Sequence, residues 1–297
     1  MPSPLEQRVR SPHRQLTLSE LAGQWFHALV AVRAIGAASL AHEPRAPGWV
    51  RGAWGEQLKH AASAEAVAGQ PCPWQPPCAL DVFFRCQGHV TPGLEIAKPY
   101  TVGLAADGGD LIVELRVFGF ATDWLETAAD ALVRSLRQGI RALDGRQGLT
   151  VTSRQTQVFD GLELPPAAPA LALEFQTPLL LRRDDPSAPL MPSLIASLGN
   201  RISSLARWQD AGITADWPAI KVAAHALASH EQFEPYAGHD RSSGRQQGRR
   251  IPVEGQRGTL RLAGDLEPLL PLLAIGQTCH AGSHAALGQG RYRIAVN

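Results

Sequence analysis

Apolar and polar positions along the chain switch between strand and helix spacing, and the switches predict a repeated order of elements. From Trp25 to Ala38 the apolar residues Val30, Val32 and Ile35 read as a strand, although the alanines between them leave a helix open. A helix follows from about Ala53 to Val67, with Trp54, Leu58 and Ala61 on one face. Strands are expected near 79–85 and 97–105. The turn Asp107-Gly108-Gly109 then feeds an alternating strand, Leu111 to Val117. Leu125, Ala128, Leu132, Leu136 and Ile140 recur at helical spacing between about Trp124 and Leu143, before a strand from Leu149 to Val158. Residues 25–158 therefore read β-α-β-β-α-β, the ferredoxin-like split motif, with one strand to spare.

The second half repeats the order. It runs as strand Ala170 to Gln176, helix Pro192 to Trp208, strands near 219–230 and 249–263, helix 265–275, and strand 290–296. Pro268 and Pro271 predict that the last helix is short or kinked, because neither donates a backbone hydrogen bond. The expected fold is α+β: two tandem ferredoxin-like (βαββαβ) domains. A flexible N-terminal arm (1–20) precedes an N-terminal domain (21–163) with a Cys/Pro-rich insertion. The Pro-rich linker Leu164 to Pro169 leads to a C-terminal domain (170–297).

Charge narrows the choice of partner. With 28 basic and 27 acidic residues among 297, the net charge of +1 excludes a uniformly basic coat, so contact with nucleic acid must be local. One such place exists. Between Asp240 and Arg261 six arginines (241, 245, 249, 250, 257, 261) face two acids (Asp240, Glu254), on a stretch expected to form a hairpin. Arginine forks suit phosphates, and Ser242 and Gln246 add donors and acceptors for bases or 2′-hydroxyls. The plainer alternative is a solvated basic loop.

A second place lies at the C-terminus. After the apolar run Leu266 to Ile275, the loop carrying Gly276, Gly282, Gly288 and Gly290 precedes the strand residues Arg291 to Ile294. Glycine tolerates positive φ and lets backbone amides approach a bulky anion. No Lys-Ser/Thr follows, and the order helix-loop-strand reverses that of nucleotide-binding glycine loops. A tight turn without a ligand remains the alternative.

Other features set limits. Cys72, Cys78, Cys86 and Cys279 are too few and too clustered for a disulfide scaffold. Cys72, Cys78 and Cys86 with nearby His89 have a first spacing wider than zinc sites usually show, so half-buried thiols are expected and no metal. No signal peptide is read, and no apolar run approaches membrane-spanning length, so a soluble, cytoplasmic protein without a membrane partner is expected.

Several of these segments in order resemble the Cas6 family of CRISPR precursor-RNA endoribonucleases, within the RAMP superfamily. They are Phe175-Gln176-Thr177-Pro178-Leu179-Leu180-Leu181-Arg182, the helix Leu194 to Trp208 with Arg201, Arg241-Ser242-Ser243-Gly244-Arg245-Gln246, Gly255-Gln256-Arg257-Gly258, and the Gly276 to Tyr292 loop. In the N-terminal half only Val50 to Gly55 before a helix, with the Cys-rich insertion, is similar.

The resemblance implies tandem ferredoxin-like domains of RAMP type and cleavage of CRISPR repeat RNA without metal or cofactor. In that chemistry the 2′-OH attacks the adjacent phosphate and leaves a 2′,3′-cyclic end, and the product crRNA stays bound. It implies RNA contacts at Arg241, Ser242, Arg245, Gln246, Arg249, Arg250, Arg257, His280, Gly282, Ser283, His284, Gly288, Gly290 and Arg291. Ser283 stands where many relatives carry a lysine. A catalytic histidine is implied within or just after the first helix. His60, beside Lys59, fits best, with His27 and His42 behind it. For each the bland reading is a solvent-facing or half-buried side chain. A non-catalytic RNA-binding subunit of a CRISPR effector complex, with the same fold, is the alternative, and other Cas proteins are the further partners implied.

Overall fold

The computed structural model describes residues 2–142, 145–181, 188–243 and 249–296. The chain divides into two compact units. The first comprises Met1–Leu16, Trp25–Asp160 and Ser203–Ile213, the second Thr17–Gln24, Gly161–Ile202 and Thr214–Asn297.

The first unit is built on β1 (His27–Ala34), α1 (Ala46–Lys59), β2 (Tyr100–Asp107), β3 (Asp110–Phe118), α2 (Leu125–Gln138) and β4 (Val151–Phe159). Its sheet has the order β2-β3-β1-β4, with every neighbouring pair antiparallel. Strand periodicity places Ala28, Val30, Val32 and Ala34 on one face of β1, and all four are fully buried, as are Leu111, Val113, Leu115 and Val117 of β3. Burying each larger aliphatic side chain contributes roughly 1.5–3 kcal/mol. The helices cover that face, and the Trp54 indole of α1 donates to the Ala128 carbonyl of α2 at 3.0 Å. α2 buries Leu125, Ala128, Leu132 and Leu136, as its spacing selects, but stops at Gly139, so Ile140, also expected in the helix, begins the short strand Ile140–Ala142.

The second unit repeats this plan with β5 (Ala170–Phe175), α3 (Leu190–Ala206, whose last residues count with the first unit), β6 (Ala228–Ser243), β7 (Arg249–Ala263), α4 (Leu270–Cys279) and β8 (Tyr292–Val296). The strand order β6-β7-β5-β8 matches that of the first sheet. Leu171, Leu173 and Phe175 of β5 are buried with Leu260, Leu262 and Tyr292 of the neighbouring strands, and Leu194, Leu198, Leu272 and Ile275 of the helices are buried too. As the prolines predict, a 3-10 turn (Glu267–Leu269) precedes a ten-residue α4.

Four expectations are corrected. The segment near 79–85, read as a strand, is the helix Ala79–Phe84. Its apolar residues form a patch rather than an alternation, and Phe83 and Phe84 pack against Trp54 and Tyr100. The strand near 219–230 is a helix, Trp217–Ala226, followed by β6, because the Asp216 carboxylate caps the Ala219 amide at 2.9 Å. The first twenty residues, expected as a flexible arm, hold two short helices and a paired strand. Pro4–Arg10 and Leu18–Gly23 are helices closed by capping boxes, Ser3 with Glu6 and Thr17 with Glu20. Between them Arg14–Leu16 pairs in parallel with Ala211–Ile213. The helix read over 53–67 is α1 and a separate turn, Ala64–Val67. No helix among the described residues is long and apolar enough to cross a membrane.

Candidate nucleic-acid interface

The glycine loop is organised by the five residues after β5. The Gln176 carbonyl accepts from the Arg257 guanidinium at 2.7 Å. The Thr177 hydroxyl donates to the Gly288 carbonyl at 2.7 Å and accepts from the Arg291 amide at 2.8 Å. The Pro178 carbonyl takes the Gly290 amide, Leu179 exchanges two hydrogen bonds with Gln256, and the Leu180 carbonyl takes the Ser283 amide. One pentapeptide thus holds the loop on one side and the arginine strand β7 on the other.

That arrangement corrects the phosphate cradle expected of the loop. The amides of Ala281, Gly282, Ser283, Gly288, Gly290 and Arg291 all donate inside the second unit: to Gly290, Ser197 Oγ, Leu180, Ala285, Pro178 and Thr177 Oγ1. Six amides therefore serve loop shape and not an anion. The glycines are there for backbone reasons. Gly282 (φ +78) and Gly290 (φ +68) are left-handed, and a Cβ at either would collide with a carbonyl, of Leu180 and Ala281 respectively. Gly288 is left-handed and buried. Ser283 is exposed and His284 half-buried, so these are the side chains the loop presents. His280, with φ +67 at the end of α4, is buried and belongs to the packing of the loop. Arg201 of α3 donates to the Cys279 carbonyl at 2.5 Å, a cation at the C-terminal end of α4.

The basic strand is displayed on the sheet face away from the helices. Arg257 and Arg261 are both exposed and lie an even number of positions apart on β7, which puts them on one face. In register, Arg261 pairs with His230 and Arg257 with Glu234. Arg293 of β8, opposite Glu174 of β5 and ion-paired to it, lies on the same face. Arg291, just before β8, is half-buried. At the far end of the hairpin Arg241 pairs with Ile251, Ser242 with Arg250 and Ser243 with Arg249, after a register shift between Tyr236 and His239. Arg245 and Gln246 lie outside the described residues. A cleft of about 500 Å³ opens beside the strand, lined by Leu179, Leu180, Leu190, Pro235, Tyr236, Gly255 and Gln256.

Sequence reasoning left His230 and Arg293 out and counted Arg261 only as charge. The even spacing of 257 and 261 was a legible signal for Arg261. The other two depend on pairing across strands.

The catalytic candidates lie in the first unit. His27 begins β1 and is buried, its ring stacked on Phe159 at 4.7 Å and 10°. Burial first, then the nearby Arg116 guanidinium, pushes its pKa down to about 3, so it is neutral and withdrawn from the surface at physiological pH. This corrects its candidacy as a proton carrier. His42 ends a 3-10 turn (Ala38–His42) and is exposed; His60 caps the C-terminus of α1 and is exposed too. The fourteen residues of α1 separate them, and at 1.5 Å per residue that is about 20 Å. His42 and His60 therefore do not act together on one phosphate. Lys59 is exposed and paired with Glu56 at 2.7 Å.

Cys72 and Cys78 are buried neighbours, the Cys78 amide donating to the Cys72 sulfur at 3.3 Å, while the Cys86 thiol points to the Gly88 carbonyl. Among the described residues no three His, Cys, Asp or Glu side chains are grouped to hold a metal ion.

Residues 173–292, the stretch containing the pentapeptide, the four arginines of β7 and the glycine loop, match the family model for the CRISPR-associated endoribonuclease Cas6. The whole fold is similar to that of Thermus thermophilus Cas6, with a TM-score of 0.52 at 12% identity over 91% of this chain and 98% of that one. A Cas6 product complex gives 0.54 at 14% identity, covering 90% and 99%. A chain of a partial Cas6-RT-Cas1–Cas2 complex gives 0.51 at 11% identity, covering 92% of this chain and 46% of that one. At these identities the likeness is one of fold. No curated protein matches the chain.

Proposed function

We propose that this chain belongs to the Cas6 family of CRISPR-associated endoribonucleases, cuts CRISPR repeat RNA without a metal and keeps hold of the product. The observation that carries the reading is the pentapeptide Gln176–Leu180, which ties the Ser283-bearing loop and the Arg257 strand into one rigid framework. A fixed framework with exposed arginines grips a ribose-phosphate chain at little cost in ordering.

In the proposed reaction a base removes the proton of the ribose 2′-OH, whose oxygen attacks the adjacent phosphorus. The bond to the 5′-oxygen breaks, an acid protonates that leaving oxygen, and a 2′,3′-cyclic phosphate remains. His60 is assigned the proton transfer, because it is exposed and stands at the end of the first helix of the motif; His42 is second. A general acid or base of this kind contributes ~10²–10⁴ in rate. Arginines 241, 249, 250 and 257, with Arg261 and Arg293 added, are assigned phosphate contacts, and Ser283 and His284 contacts at the loop. The reading makes the protein cytoplasmic, with repeat RNA, crRNA and other Cas proteins as partners.

Incubating the purified protein with its repeat RNA in EDTA tests the reading. A product ending in a cyclic phosphate is expected. Tight binding of intact RNA would instead make the chain a non-catalytic RNA-binding subunit.

A further inference from the structure

The N-terminal segment carries a second basic surface, in the first unit. Four arginines gather around the corner Arg207–Asp210. The Arg8 guanidinium lies over the Phe120 ring at 3.7 Å. Arg10 donates to the Gln87 carbonyl at 3.2 Å, Arg14 to the Gln209 carbonyl at 2.6 Å, and Arg207 to the Arg10 carbonyl at 2.5 Å. These four contacts, one aromatic ring and three backbone carbonyls, hold the guanidinium groups in place. Arg8, Arg10 and Arg14 are exposed all the same, as is His13.

The acids nearby are engaged from within. Glu6 is bound by Arg85 and also meets Arg10 at 4.0 Å. Asp210, at φ +55, accepts from the His13 amide at 3.0 Å and meets its ring nitrogen at 2.9 Å. Burial pushes the Asp210 carboxyl up, but the His13 hydrogen bonds and the charges of His13 and Arg8 pull it below its ordinary value, so it stays ionised and occupied. A surface of fixed, exposed arginines fits a chain of phosphates, for which rigid forks lose little entropy.

We propose that Arg8, Arg10, Arg14 and Arg207, with His13, form a second contact surface for the ribose-phosphate backbone of RNA, used without regard to base sequence. The inference rests on the proposed function and adds to it an N-terminal platform for precursor RNA.

The test compares wild type with an Arg8→Gln, Arg14→Gln double variant on repeat RNA extended by unrelated flanks. The double variant is expected to bind this RNA roughly tenfold more weakly. The salt slope of log Kd should be smaller by about 1.4, since each single-strand phosphate that is no longer neutralised removes about 0.7. An Arg8→Lys, Arg14→Lys variant, which keeps both charges, is expected to retain the wild-type slope to within a few tenths. Affinity and slope equal to wild type in the folded Gln variant overturn the proposal. If that variant does not fold, photo-crosslinking of 4-thiouridine-labelled precursor RNA to wild type decides: crosslinks within residues 8–14 support the surface, and crosslinks found only elsewhere overturn it. Failure of wild type to bind or cut repeat RNA at all would strike the proposed function itself, a separate outcome.

Discussion

Leu179 and Gln256 exchange two backbone hydrogen bonds, at 2.8 Å from the Leu179 amide and 3.1 Å from that of Gln256, in an isolated bridge outside the main sheet pairings. Leu180, next in the chain, takes the Ser283 amide. A displacement of this short segment moves the loop and the arginine strand together, so mutations within residues 176–180 are expected to affect RNA binding without touching RNA.

Thr177→Val tests the joint. The hydroxyl serves the Gly288 carbonyl and the Arg291 amide at once, and removing it leaves two partly buried groups unpaired, at about 1–3 kcal/mol. Urea unfolding should show that drop in stability, with RNA affinity reduced in the same variant. Unchanged stability and affinity would mean that the joint does not control the loop.

Gly282→Ala separates close packing from conformation. Gly282 and Gly36 both have positive φ, but an added Cβ meets the Leu180 carbonyl at Gly282 and open space at Gly36. Left-handed strain costs about 1–3 kcal/mol at either site. The Gly282 variant should therefore be the less stable by melting, and of the two it alone should weaken RNA binding.

Arg257→Gln with Arg261→Gln removes two exposed charges from one face of β7. Binding of repeat RNA should weaken roughly tenfold and the salt slope should drop by about 1.4–1.8. A titration over several salt concentrations that returns the wild-type slope would place the RNA elsewhere.

His60→Ala should lower the single-turnover cleavage rate by ~10² or more while RNA affinity stays within a few-fold. Cleavage unchanged in this variant and abolished in His42→Ala would transfer the role to His42.

His27 makes stability depend on pH. Its folded pKa of about 3 lies below the ordinary histidine value of 6.5, so between those values the unfolded chain binds the proton and the folded chain does not. Stability is full above about pH 6.5 and declines as pH falls toward 3, by a few kcal/mol at most. His27→Phe, which keeps an aromatic ring beside Phe159, should flatten the urea midpoint between pH 4 and 7; a slope equal to wild type would mean that other groups govern it.

Much of the fold was legible because its signals are local. Strand alternation in β1 and β3, helical spacing in α2 and the turn at Gly108-Gly109 each lie within about fifteen residues, and all fall where they were expected except the end of α2, which Gly139 stops before Ile140. The capping boxes Ser3-Glu6 and Thr17-Glu20 were equally legible, yet proline and charge content made the first twenty residues read as an arm. Ala79–Phe84 was misread because six residues with a block of apolar side chains fit either period.

By itself the sequence determined two rounds of β-α-β-β-α-β and placed the arginine strand and glycine loop within the second, since spacing and turn residues act over a few positions. Only the tertiary structure decided what those residues do. It buried His27 under Phe159, turned the loop's amides inward and joined Leu179 to Gln256. It also brought His13 to Asp210, nearly two hundred residues away in the chain. Such pairings follow from how strands register and helices pack, and burial, not chain position, sets which charges reach solvent and which protons can move.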